Sequence, residues 1–106
     1  MITVLVQFKL PQPVTPEQAR AAFLATAPTY REVPGLLRKY YVLSEDGATA
    51  GGVYLWKSRE DAARLYTQEW RTMVRERYGV EPSLTYFNSP VVVDNVLQQI
   101  VTDEGA

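Results

Sequence analysis

Between Pro34 and Ser58 the chain carries two apolar runs around a polar turn, and this stretch restricts the fold more than any other. Leu36 to Leu43 is rich in β-branched and aromatic residues, as a strand requires. Ser44-Glu45-Asp46-Gly47 has turn chemistry, with Gly47 free to take a positive φ. Val53 to Trp56 reads as the return strand, and Ser58 can cap a following helix. The expectation is an antiparallel hairpin leading directly into a helix.

The flanking segments extend the pattern. Met1 to Leu10 alternates as a strand, with Ile2, Val4, Val6 and Phe8 on one parity. Pro11 and Pro13 end it. Thr15-Pro16-Glu17-Gln18 is a helix start with a capping box. Ala19, Ala22, Phe23, Thr26 and Tyr30 then follow at helical spacing. Pro28 predicts a kink or an end near Ala27, with a last turn to Glu32. Ser58-Arg59-Glu60-Asp61 opens a second helix with the apolar stripe Ala62, Ala63, Tyr66, Trp70, Met73 and Tyr78. Its length predicts a bend between Glu69 and Thr72, and Gly79 is its C-terminal cap. Pro82 to Asn88 is a fourth strand that Val91 to Val93 could continue beyond a bulge. Asp94 would cap a tail helix to Ile100, with Thr102 to Ala106 frayed. The order β-α-β-β-α-β is the ferredoxin-like, α+β pattern: a four-stranded antiparallel sheet with both helices on one face. At 106 residues it forms one domain.

Two helices leave the other sheet face uncovered, and that face should then be polar. Here both parities are apolar. Tyr54 and Trp56 point one way, Val53 and Leu55 the other; Leu36, Tyr40 and Val42 oppose Leu37, Tyr41 and Leu43; Leu5 opposes Val4 and Val6. Each large apolar side chain withdrawn from water contributes roughly 1.5–3 kcal/mol. The expectation is therefore a homodimer in which a second copy covers the face, sheet to sheet.

Residue content restricts the chemistry. The chain has no His and no Cys, which removes the usual acid–base near neutrality, thiolate chemistry and the commonest metal ligands. No metal site is expected. The lack of Cys fits a reducing cytoplasm, and neither a membrane span nor a signal peptide is legible. A net charge of −1, with basic and acidic residues interspersed, argues against a nucleic-acid surface.

Pro34-Gly35-Leu36-Leu37, then Lys39 and Tyr41, then Gly51-Gly52-Val53-Tyr54-Leu55-Trp56, resemble the signature of the YdhR-type monooxygenase family of the dimeric α/β-barrel superfamily. The likeness is most specific from Val33 to Tyr66. It implies a dimer whose two sheets form a barrel, with a pocket in each subunit between sheet and helices. It also implies cofactor-free oxidation of phenols to quinones. In the related enzymes of antibiotic biosynthesis the third strand carries Asn-x-x-x-Trp. This chain has the Trp, at Trp56, and Gly52 at the Asn position, so it lacks that side-chain donor.

The residue types suit an aromatic ligand, with 7 Tyr, 2 Trp and 3 Phe. Gly52, Tyr54 and Trp56 share one face, and Tyr66 and Trp70 lie on the facing stripe of the second helix. Such rings can sandwich a flat substrate. Arg38 or Lys39 can stabilise its anion. The candidate catalytic residues are thus Trp56, Tyr54 and Lys39, and the candidate substrate-binding residues Arg38, Tyr41, Gly52, Tyr66, Trp70 and Tyr86. No cofactor is expected, because a deprotonated substrate can itself reduce dioxygen.

Each candidate has a structural alternative. The aromatic residues at regular spacing can be plain core, and Lys39 a snorkelling surface lysine. A dimeric module that binds a hydrophobic ligand without turnover competes with the enzyme. An RNA-binding module shares the strand order, but Ala50-Gly51-Gly52-Val53-Tyr54 lacks the basic residue and the spacing. A haem-degrading relative is disfavoured because no His can ligate iron.

Overall fold

The computed structural model describes residues 1–103. The strands are β1 (Ile2–Lys9), β2 (Leu36–Leu43), β3 (Thr49–Trp56), β4 (Ser83–Asn88), β5 (Val91–Asp94) and β6 (Gln99–Thr102). The helices are α1 (Pro16–Tyr30), α2 (Arg59–Leu65) and α3 (Gln68–Tyr78). The main sheet is antiparallel in the order β2-β3-β1-β4, the ferredoxin-like arrangement. Val4, Val6 and Phe8 of β1 are buried against the helices, as their shared parity requires. Tyr54 and Trp56 of β3 and Ala62, Tyr66, Trp70 and Val74 of the helices complete the core.

Most local signals act as read. Thr15 and Gln18 form the reciprocal capping box. The Ser58 hydroxyl accepts from the Asp61 N–H at 3.1 Å. Gly79 caps α3 at φ 82. Four readings differ. First, α1 does not end at Ala27 but runs to Tyr30. Pro28 sits in the last turn on an exposed surface, where water can satisfy the carbonyl left without a donor. Second, the second helix breaks rather than bends, and earlier than Glu69. Tyr66 leaves the helical region at ψ 54, and the Thr67 hydroxyl caps α3 by accepting from the Trp70 N–H at 3.2 Å. The break lets the Tyr66 ring enter the core. Val74, missing from the predicted stripe, is buried, whereas Ala63 is exposed.

Third, β2 shifts register between Leu36 and Arg38. The irregularity puts Leu36 on the helix-facing side, packed against the core, and leaves Leu37 half exposed. Strict alternation had placed Leu36 with Tyr40 and Val42. The return strand also begins at Thr49, four residues before Val53, because its glycines pair fully with β1.

Fourth, the predicted tail helix is a β-hairpin, and Val91–Asp94 pairs with Gln99–Thr102 instead of prolonging β4. The Asp94 carboxylate does cap, accepting from the Val96 and Leu97 N–H groups at 3.0 Å each, but over a single turn. Gln98 takes φ 55, and the β-branched runs on either side favour strands. Against the predicted frayed end, Thr102 belongs to β6 and Asp103 pairs with the Met1 amino group, while 104–106 lie outside the described residues. Arg38 pairs with Asp94 and so ties the hairpin to the helix-free sheet face. Thr3, Tyr40, Val53 and Leu55 of that face line a groove of about 460 Å³ with Val92, Val93 and Val96. Among the described residues no helix is long and apolar enough to cross a membrane.

Candidate functional site

The helix-facing side of β2 and β3 presents Lys39, Tyr41, Gly52 and Tyr54 together. Antiparallel register sets this: Lys39 lies opposite Tyr54, and Tyr41 opposite Gly52. The half-buried Lys39 side chain runs across the strand beneath α1. Its Nζ stands 3.3 Å from the Tyr30 ring centroid, 3.8 Å from Tyr41 and 4.6 Å from Tyr54. Three ring faces therefore surround one amine. Among the described residues no carboxylate lies within ion-pair distance of it. Burial lowers its pKa from 10.5 to about 7.

Gly52 makes room for this arrangement. A Cβ there would lie 2.8 Å from Tyr54 Cε1 and 3.3 Å from Lys39 Cε. The position where the resemblance calls for Asn thus has its space taken by the lysine stem and a tyrosine ring. Thr26 on α1 shares a hydrogen bond of 2.8 Å with the Tyr41 hydroxyl, and Phe23 stacks on Tyr41 with centroids 4.7 Å apart. Burial raises the pKa of Tyr41 and of Tyr54, so both hydroxyls keep their protons.

Two spaces meet at the cage. Inside, Lys39, Tyr41, Gly52, Tyr54 and Trp70 border a small cavity of about 30 Å³, room for a water or two. Outside, Tyr30, Lys39 and Tyr41 border a groove of about 500 Å³ between α1 and the edge strand β2. Of the residues in α1 only Ala19 is buried, against Trp70 and Val74 in α3.

The remaining candidates lie elsewhere. Trp56 is wholly buried, and its indole N–H donates to the Tyr66 hydroxyl at 3.0 Å. Trp70 donates to the Tyr30 hydroxyl at 3.0 Å while its ring reaches the inner cavity. Tyr66 packs between Trp56 and Trp70, with its pKa raised chiefly by burial. Tyr86 sits beyond Tyr66, beneath the Arg59 guanidinium. Arg38 pairs with Asp94 on the opposite sheet face and also borders the outer groove. The structure therefore brings together Lys39, Tyr41, Gly52, Tyr54 and Trp70, sets Trp56, Tyr66 and Tyr86 apart from them, and leaves Arg38 at the rim of the outer groove. Sequence reasoning missed Tyr30, Phe23, Thr26 and Arg77 in this region. The helical spacing of Phe23, Thr26 and Tyr30 marked their face, but only docking over β2 shows what they meet.

A family model described as "Putative mono-oxygenase ydhR" matches residues 3–84. Among solved structures, a monooxygenase of Streptomyces coelicolor in complex with nanaomycin D is 21% identical, with a TM-score of 0.64 over 83% of this chain and 86% of that one. A cofactor-independent oxygenase of Streptomyces nogalater is 15% identical, with a TM-score of 0.61 over 83% and 91%. A protein of Deinococcus radiodurans described as an antibiotic biosynthesis monooxygenase is 12% identical, with a TM-score of 0.64 over 89% and 97%. At such identities the likeness is one of fold. No curated protein matches the chain.

Proposed function

The chain belongs to the YdhR mono-oxygenase family, and from that membership we propose a cofactor-independent monooxygenase acting on a flat phenolic small molecule of the quinol kind. The substrate enters between α1 and β2 and lies against Tyr30, Tyr41 and Tyr54, with its oxygen at Lys39. One observation carries this reading: a partly buried amine, ringed by three aromatic faces, with no carboxylate among the described residues to pair with. A phenolate supplies both the missing negative charge and a ring to stack. The inner cavity of about 30 Å³ is too small for such a ligand, so α1 must lift or the rings must turn.

Tyr54 and Trp70 act as walls beside the bound ring. Trp56, Tyr66 and Tyr86 support those walls from behind, and Arg38 serves the outer face. Dioxygen is the oxidant: the ring carbon para to the hydroxyl takes one oxygen atom as a carbonyl, and the second leaves as water with that carbon's hydrogen and the hydroxyl's. The proposed setting is the cytoplasm, which the cysteine-free composition suits.

A homodimer is part of the proposal. Leu37, Tyr40 and Phe87 of the helix-free face, and Val91, Val93, Leu97 and Ile100 of the hairpin, are all at least half exposed. Contiguous apolar surface of this kind marks an interface. A second reading, a dimeric binding module without turnover, is favoured by Gly52, which offers no side-chain donor to a reacting oxygen.

Incubation with an anthrone or a reduced naphthoquinone under air tests the enzyme reading. Oxygen uptake and quinone formation faster than in buffer are expected. A rate equal to buffer across a panel of such phenols would reject it, and binding without uptake would favour the module.

A further inference from the structure

A phenol reduces dioxygen readily only after losing its proton, and a charge that holds the anion does not by itself make it. Resting on the phenolic-substrate reading, we propose that Lys39 is the proton acceptor. Its amine, set at the neck between the α1–β2 groove and the inner cavity, takes the hydroxyl proton of the entering phenol and remains beside the oxyanion as the ammonium.

The groups facing Lys39 favour this assignment. Tyr30 comes from α1, Tyr41 from β2 and Tyr54 from β3. Arg77 and Tyr78 border the inner cavity from α3. Arg31 and Arg38 border the outer groove. Among the described residues no carboxylate borders either space. Guanidinium groups have no proton-accepting lone pair, and burial keeps Tyr41 and Tyr54 protonated. Lys39 is then the basic nitrogen within reach, and near neutrality a large share of it is the free amine.

The step balances without a co-reactant: the phenol O–H bond breaks, an N–H bond forms, and the electron pair stays on oxygen. In water an ordinary phenol would give its proton to such an amine unfavourably. Here the product is an ion pair in a desolvated site, and the phenolate supplies the counter-charge the free protein lacks. Binding therefore restores the ammonium that burial disfavours.

The sign of the pH dependence separates a base from a fixed cation that acts on the neutral phenol. With an anthrone followed from about pH 5.5 to about 9, kcat/KM should climb roughly tenfold per unit below about 7 and level off above it. A fall above about 7 would mean that only the cation matters, and the proposal would fail. Lys39→Arg keeps the charge without an available lone pair; a loss on the order of 10²-fold is expected, and full activity would overturn the assignment.

A measurement independent of turnover separates this proposal from the enzyme reading. Calorimetric titration with 4-nitrophenolate at about pH 8, in buffers of different ionisation enthalpy, should show uptake of a large fraction of one proton in the wild type and none in Lys39→Arg. Uptake without turnover would leave the Lys39 assignment standing while the oxygenase reading fell. No binding, or binding without uptake, would sink the assignment whatever the turnover.

Discussion

At Gly51 a Cβ would sit 1.8 Å from the Val6 carbonyl oxygen, a backbone atom that cannot withdraw without breaking the β1–β3 ladder. At the neighbouring Gly52 the nearest atoms belong chiefly to the Tyr54 and Lys39 side chains, which can turn aside. Gly51→Ala should therefore leave little folded protein. Gly52→Ala should fold, with the amine displaced and its titration moved; circular dichroism and pH-dependent labelling of Lys39 check the pair. If both variants fold alike, close approach is not the reason for the glycine pair. Lys39 also imposes a pH dependence on stability. Its folded pKa of about 7 lies below the unfolded 10.5, so between those values the unfolded chain binds more protons. Stability should then rise with pH from about 7 toward 10.5, and the rise should vanish in Lys39→Met. Urea midpoints across that window check it. The sequence marked Lys39 as a lysine among apolar neighbours, but not that three rings surround it.

The second helical region shows how an element is divided. Ala62, Tyr66, Trp70 and Val74 recur every four residues, so periodicity alone reads one helix. Thr67 offers an equally local alternative, since its hydroxyl can cap the next turn. In the folded chain the non-helical backbone at Tyr66 goes with a ring buried between Trp56 and Trp70. Thr67→Ala should cost about 1 kcal/mol in chemical denaturation, while Thr67→Ser should cost little. Equal stability of all three proteins would mean that packing alone holds the break. The tail had a similar ambiguity: Asp94 serves as the cap of a helix or of a single turn, and the β-branched residues after it tip the balance to a hairpin.

At the scale of the whole molecule the helix-free sheet face is only partly sheltered. The β5–β6 hairpin, tied down by the Arg38–Asp94 pair, borders part of it, while Tyr40 and Phe87 stay half exposed. If a second copy covers this surface, Tyr40→Glu places a charge at its centre and should halve the sedimenting mass without unfolding the protein. A wild type that already sediments as a monomer at micromolar concentration would refute the dimer. The succession of strands and helices along the chain, the capped helix starts and the apolar content of both sheet faces were fixed by short-range chemistry. Alternation, capping and turn residues act over a few neighbours, and those neighbours can be read directly. The register shift at Leu37, the break at Tyr66, the hairpin's position and the three-ring setting of Lys39 were decided by the tertiary structure alone. Each depends on segments far apart in the chain competing for the same space, and no local pattern records which of them wins.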